Sequence, residues 1–179
     1  MGLGSGVSCA VRLNSVLTAE QKEKFQNRDE IVKALNEFRV IAMVGLSADA
    51  QKSSYFVASY LKSAGYTVVP VNPKADSILG QKVYRSLSDI PFPVDLVDVF
   101  RPASECEALA AEAIAVGAKG FWQQLRINNI KAAELAKKAG LVAVVDLCVK
   151  MEHGRYSGGL HEAGMNTELL SARRIHRFL

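Results

Sequence analysis

Two short polar stretches carry residue types suited to holding phosphate. The first, GLSADAQKSS from Gly45 to Ser54, follows an apolar run and gathers one glycine, the hydroxyls of Ser47, Ser53 and Ser54, and the ammonium of Lys52. Open backbone N–H groups at the start of a helix, reinforced by the helix dipole, hold anions. Hydroxyl donors and a mobile lysine beside such a start describe a phosphate-binding turn. The second stretch, Asn72-Pro73-Lys74, closes the next apolar run. Chains that bind NAD carry an acid at that place for the ribose 2′-hydroxyl, whereas a lysine there suits a phosphate on the ribose. The first stretch matches neither common glycine fingerprint. It is one residue too long for a Walker loop and lacks that loop's second glycine. Of the three glycines of G-x-G-x-x-G it keeps only Gly45, with Ser47 and Ala50 at the other two positions. Two phosphate sites separated by a ribose leave NADP and coenzyme A as the ligands of matching chemistry.

These residues are positioned by elements whose hydrophobic period alternates. Thr18 to Phe38 has helical spacing, with Thr18 as N-cap and Ile31, Ala34, Leu35 and Phe38 on one face. Val40–Val44 reads as a strand buried on both faces, followed by a helix over 54–64 and a second strand over 66–71. A loop-rich stretch containing Pro73, Gly80, Pro91 and Pro93 leads to a third strand over 94–100. A helix over 103–116, a fourth strand over 118–122, a helix from Asn128 or Asn129 to Ala139 and a fifth strand over 141–146 complete the pattern. Strict alternation implies an α/β fold: a doubly wound, Rossmann-like, three-layer domain around a parallel five-stranded sheet, with expected order 3-2-1-4-5. A ligand is then expected beyond the carboxyl ends of the strands, where the order reverses, between the first and fourth strands.

The run VGLSADAQKSSYFVASYLKSAGYTVVPVNPKADSILGQKVYRSLSDIP, followed in order by VDLVDVFR, GAKGFWQQ and DLCVKMEH, resembles the small stand-alone CoA-binding proteins. These are similar in turn to the CoA-binding domain of the succinyl-CoA synthetase α-subunit. The resemblance implies that Gly45, Ser47, Lys52 and Ser53 form the turn under the phosphates. It implies that Asn72, Pro73 and Lys74 line the nucleotide, with Lys74 near the ribose phosphate. Phe100 and Arg101 would cover the adenosine side, and Trp122 and Gln124 would flank the crevice where the pantetheine arm leaves. Trp122 has a plain alternative as a core residue. The chain departs from the family's W-x-Q-x-G-I-x-N-E-E run, reading WQQLRINNIK: Arg126 stands for a glycine, and Ile130-Lys131 for two acids.

Composition excludes other classes. At 179 residues and 49% hydrophobic, the chain can bury one sizeable core, so one domain is expected over 18–153, with a leader over 1–17 and an extension over 154–179. Arg12 is the only charged residue of the leader, and the extension holds Arg155, Arg173, Arg174 and Arg177 against Glu162 and Glu168. The stretch between is nearly neutral, which argues against a nucleic-acid surface. No apolar run reaches the ~20 residues of a membrane helix. Cys9, Cys106 and Cys148 lack metal or disulfide spacing and read as reduced thiols of a cytoplasmic protein. Cys148 and His153 lie five apart without an orienting third group, and no carboxylate pair has catalytic spacing, so no metal site and no enzyme activity are expected. The extension has helical spacing in MNTELLSARRIHRFL and is read as a contact for the domain, for a second copy of the chain or for another protein. The expected function is non-catalytic binding of coenzyme A or acyl-CoA, with an NADP-binding oxidoreductase or redox sensor as the competing reading.

Overall fold

The computed structural model describes residues 17–157. The leader up to residue 16, and the extension beyond 157 with its expected helix, lie outside the described residues. The expected N-terminal helix is two helices, α1 (Ala19–Phe25) and α2 (Arg28–Glu37). Thr18 and Gln21 form a reciprocal capping box on α1, and Asn27 starts α2 by accepting from the N–H groups of Asp29 and Glu30. A side chain that satisfies two orphan donors makes a second helix start as favourable as continuing the first.

Five strands follow the expected alternation with helices: β1 (Val40–Val44), β2 (Thr67–Val71), β5 (Leu96–Val99), β6 (Gly120–Gln123) and β7 (Val142–Val144). A short antiparallel pair, β3 (Ser77–Ile78) and β4 (Gln81–Lys82), lies in the loop-rich stretch. The remaining helices are α3 (Ser53–Ser63), α4 (Cys106–Ala115), α5 (Ile130–Lys138) and α6 (Val149–Ser157). The sequence pattern gives no helix at α6.

All five long strands pair in parallel in the order β2-β1-β5-β6-β7. Counted along the chain this is 2-1-3-4-5, so the α/β doubly wound class holds and the expected 3-2-1-4-5 does not. Pro70 is the physical reason. Its carbonyl accepts from the Tyr84 N–H at 2.9 Å on the outer side of β2, so the N–H that proline lacks also falls on that side. A proline is tolerated on an edge strand and not in a sheet interior. β2 is therefore the edge, its outer side covered by Tyr84, whose carbonyl also accepts from the Asn72 N–H. The third strand instead pairs with β1 from Ile41↔Leu96 to Val44↔Val99. The order reverses between β1 and β5, which puts the crevice between the first and third strands and not between the first and fourth.

Side chains alternate across the sheet into two cores. Val97, Val99, Phe121 and Ala143 pack against Ala110 and Ala113 of α4 and Ala132, Ala133 and Ala136 of α5. Ile41, Met43, Leu96, Trp122 and Val144 pack against α2, α3 and α6 through Leu35, Leu61 and Val149. At the opposite edge of the sheet from the strand ends, Asp95 ties three elements together. Its Oδ2 accepts from the N–H groups of Arg39 and Val40 at 3.0 Å, and its Oδ1 from the Lys119 ammonium at 2.8 Å. Burial alone would raise the Asp95 pKa, but Lys119 and the two N–H groups outweigh it and hold the carboxyl below its ordinary value. Asp95→Ala leaves the part-buried Val40 N–H and the exposed Arg39 N–H without their acceptor and is expected to destabilise the domain by about 1–3 kcal/mol. Denaturant unfolding with an unchanged m-value checks this; an unchanged midpoint would show that water replaces the carboxylate at no cost.

Candidate functional site

At the end of β1, Gly45 adopts φ +88°, and a Cβ there would lie 2.8 Å from the Phe100 carbonyl oxygen and 2.8 Å from Cδ of Arg101. Both backbone conformation and space require glycine. The loop beyond it is shaped by its own side chains. The Ser47 N–H donates to Oγ of Ser54 at 3.1 Å, Oγ of Ser47 accepts from the Asp49 N–H at 3.1 Å, and the Asp49 carboxylate accepts from the Gln51 N–H at 2.9 Å. Both serines act here as acceptors, which leaves each hydroxyl hydrogen available to donate. Helix α3 then starts at Ser53 with Lys52 at the N-cap position and no side-chain cap, whereas α1, α2 and α5 are capped by Thr18, Asn27 and Asn129. An uncapped start leaves first-turn N–H groups open towards the strand ends.

At the end of β2, Asn72 clamps the two loops together. Its Nδ2–H donates to the Leu46 carbonyl at 2.8 Å, and its Oδ1 accepts from the Lys74 N–H at 2.8 Å. Arg85, which no local signal singles out, donates to the Asn72 and Ala75 carbonyls and to the Asp76 carboxylate, fixing the 72–76 loop from nine to thirteen residues away. Pro73, Lys74, Lys52 and Ser53 are exposed. Among the described residues, neither lysine's ammonium has an ion-pair partner.

The other expected residues are placed less simply. Phe100 is half-buried beside Gly45, and Arg101 is engaged by Glu105 through two 2.8 Å hydrogen bonds. Its aliphatic stem covers Gly45 while its charge is already paired. Trp122 is fully buried and donates from Nε1 to the Leu147 carbonyl at 2.7 Å, matching its reading as a core residue. Gln124 is also buried. These two lie under the rim and not on it. Arg126 adopts φ +68°, so the chain keeps a glycine-like conformation there, and its N–H donates to Oδ1 of Asp146, itself at φ +59°, at 2.6 Å. Cys148 and His153 are not paired with each other: Nδ1 of His153 lies 2.9 Å from the Tyr60 hydroxyl. Burial raises the Cys148 pKa, although N–H groups of Met151 and Lys150 partly counter it. Burial pushes the Cys106 thiol up to about 11.

The comparisons place this geometry in a family. The model of the CoA binding domain matches residues 39–154. This chain belongs to the CoA-binding domain family. The uncharacterized protein YneT of Bacillus subtilis is 36% identical over 127 residues, covering 71% of this chain and 94% of YneT. Acetate-CoA ligase (ADP-forming) II of Archaeoglobus fulgidus is 30% identical over 113 residues, covering 62% of this chain but 17% of the ligase. Among solved structures, a hypothetical protein from Pyrococcus horikoshii OT3 superposes with a TM-score of 0.71 at 37% identity, covering 73% of this chain and 92% of that chain.

Beneath the rim of this CoA-binding domain, Asp98 on β5 is fully buried, and both its oxygens accept from Nε2 of Gln124, at 2.8 and 3.0 Å. Burial raises its pKa to about 8, with the Gln124 amide only partly opposing. No described ion pair includes it. A buried carboxyl without a cation is more stable neutral. The unfolded chain ionises this group near pH 4, so between about pH 4 and about pH 8 the folded state holds a proton that the unfolded state has lost. Its contribution is complete at acid pH and declines as pH rises through that window. Asp98→Asn is expected to remove this decline: melting temperatures measured from pH 5 to pH 9 should diverge, with the wild type losing ground towards alkaline pH. Parallel curves would mean that Asp98 is charged in the fold.

Proposed function

We propose that this domain binds coenzyme A or an acyl-CoA and performs no reaction on it. The observation that carries the reading is the uncapped start of α3, flanked by the unpaired ammonium groups of Lys52 and Lys74, within the stretch matched to the CoA-binding family. A pyrophosphate at the open N–H groups and a ribose phosphate at Lys74 supply the missing counter-charge at both places. Ser47, Ser53 and Ser54 donate to the first, and Asn72 and Pro73 hold Lys74 at the second. Phe100 offers the adenosine an apolar surface. The stem of Arg101 lies beside it over Gly45, and Gln124 and Trp122 are buried beneath.

A purely binding role is supported by the condition of the reactive groups. Cys106 is buried, Cys148 is raised in pKa, His153 is depressed in pKa by burial and engaged with Tyr60, and Asp98 is sealed off by Gln124. Among the described residues, neither cysteine is hydrogen-bonded to a base. The acetate-CoA ligases that share this domain are several times longer, since the matched part is 17% of the Archaeoglobus protein. No helix of the described residues is long and apolar enough to cross a membrane, and the described cysteines are unpaired, which suits a cytoplasmic setting.

NADP also carries a ribose phosphate and is the ligand to discriminate against. Coenzyme A is expected to raise the melting temperature progressively with concentration, while NADP and NAD leave it unchanged. Stabilisation by NADP alone would reverse the assignment. Lys74→Glu is expected to weaken coenzyme A by about tenfold or more and dephospho-CoA much less, read by calorimetry. Equal losses for both ligands would remove Lys74 from the ribose phosphate.

A further inference from the structure

Arg126 is a cation at the strand ends that the nucleotide does not explain. It follows β6, two strands from β1 in the sheet and so about 10 Å from the phosphate turn, on the side opposite to β2 and Lys74. Its backbone is in the left-handed region, which disfavours any side chain, and glycine would take the same conformation without strain. The Asp146 carboxylate accepts from the Arg126 N–H and thereby holds the residue in this conformation. The guanidinium itself is exposed and has no hydrogen-bond or ion-pair partner among the described residues. A strained backbone therefore presents a free, permanently charged fork beside the crevice.

Resting on the coenzyme A reading above, the direction of the ligand decides what this fork meets. With the ribose phosphate at β2, the pyrophosphate at β1 and the adenosine against Phe100, the remaining arm leaves past the adenosine on the side of β6. That arm, pantetheine, is uncharged. A cation at its far end has no counter-charge in coenzyme A itself, and an acyl group ending in a carboxylate supplies one with the two-oxygen geometry an arginine matches. We infer that Arg126 selects acyl thioesters of dicarboxylic acids, its guanidinium pairing with the free carboxylate of the acyl group. Lysine at this position supplies charge without the fork, and glycine supplies neither.

Calorimetry on the full chain at fixed ionic strength, with coenzyme A, acetyl-CoA and succinyl-CoA as probes, tests this on the wild type, Arg126→Lys and Arg126→Gly. The wild type is expected to bind succinyl-CoA at least about tenfold more tightly than acetyl-CoA. Arg126→Lys should narrow that ratio, and Arg126→Gly should bring it to about one with no loss of melting temperature, since glycine suits the backbone there. A wild-type ratio near one, or a loss in Arg126→Gly shared equally by both thioesters, overturns the inference while leaving the coenzyme A reading intact. Failure of all three probes to bind the wild type overturns both.

Discussion

Where β1 turns out of the sheet, Gly45 lies so close to the end of β5 that no side chain fits between them. The Phe100 carbonyl and the Arg101 stem each stand 2.8 Å from the place a Cβ would take. This contact exists because β5, and not a later strand, is the neighbour of β1. It forces the loop to leave close to the strand end and deliver the start of α3 to the crevice. The open N–H groups, the serine hydroxyls and Lys52 are all aimed by that one close approach. A larger residue at position 45 would displace either the β5 backbone or the loop, and with it the geometry on which anion binding relies.

Polar groups around the site divide by depth. Under the rim they are matched within the protein: Gln124 with Asp98, Gln123 with the Asn129 backbone, Trp122 with the Leu147 carbonyl. Among the described residues no buried side-chain nitrogen or oxygen lacks a partner. These pairs lock the ends of β5 and β6 and the start of α5, giving a rigid base. On the rim, Lys52, Lys74 and Arg126 carry charge that the protein does not neutralise. A fixed base with free charges above it lowers the ordering cost of capturing an anionic ligand. Arg101 looks like a member of this rim set in sequence, but Glu105 one helical turn later pairs it.

Much of the architecture was legible because periodicity reports burial. The runs VIAMV and TVVPV, and the small-residue faces of α4 and α5, announce strands and helices that bury the same residues in the fold. The strand order is legible too, in Pro70: it bars β2 from the sheet interior, and an order that sandwiches it between two strands conflicts with its missing N–H. The break between α1 and α2 had its sign in Asn27, a strong N-cap residue inside an otherwise continuous helical pattern. Helix α6 had no comparable sign, since its VKMEHGRYS run lacks a clean apolar stripe and depends on packing against α2 and α3.

The chain alone determined the alternation of strands and helices, the phosphate-turn residues from Gly45 to Ser54, and the lysine at the end of the second strand, because each depends on neighbours a few positions away. Tertiary structure decided which strand lies beside β1, that Trp122 and Gln124 are buried while Arg126 is exposed, and that Asp98 is enclosed where burial raises its pKa. Those outcomes hinge on meetings between residues far apart in sequence, such as Gln124 with Asp98 and Arg126 with Asp146. Local pattern tells a residue whether it is buried; only the packed sheet tells a buried polar group which partner it finds, and therefore what charge it carries.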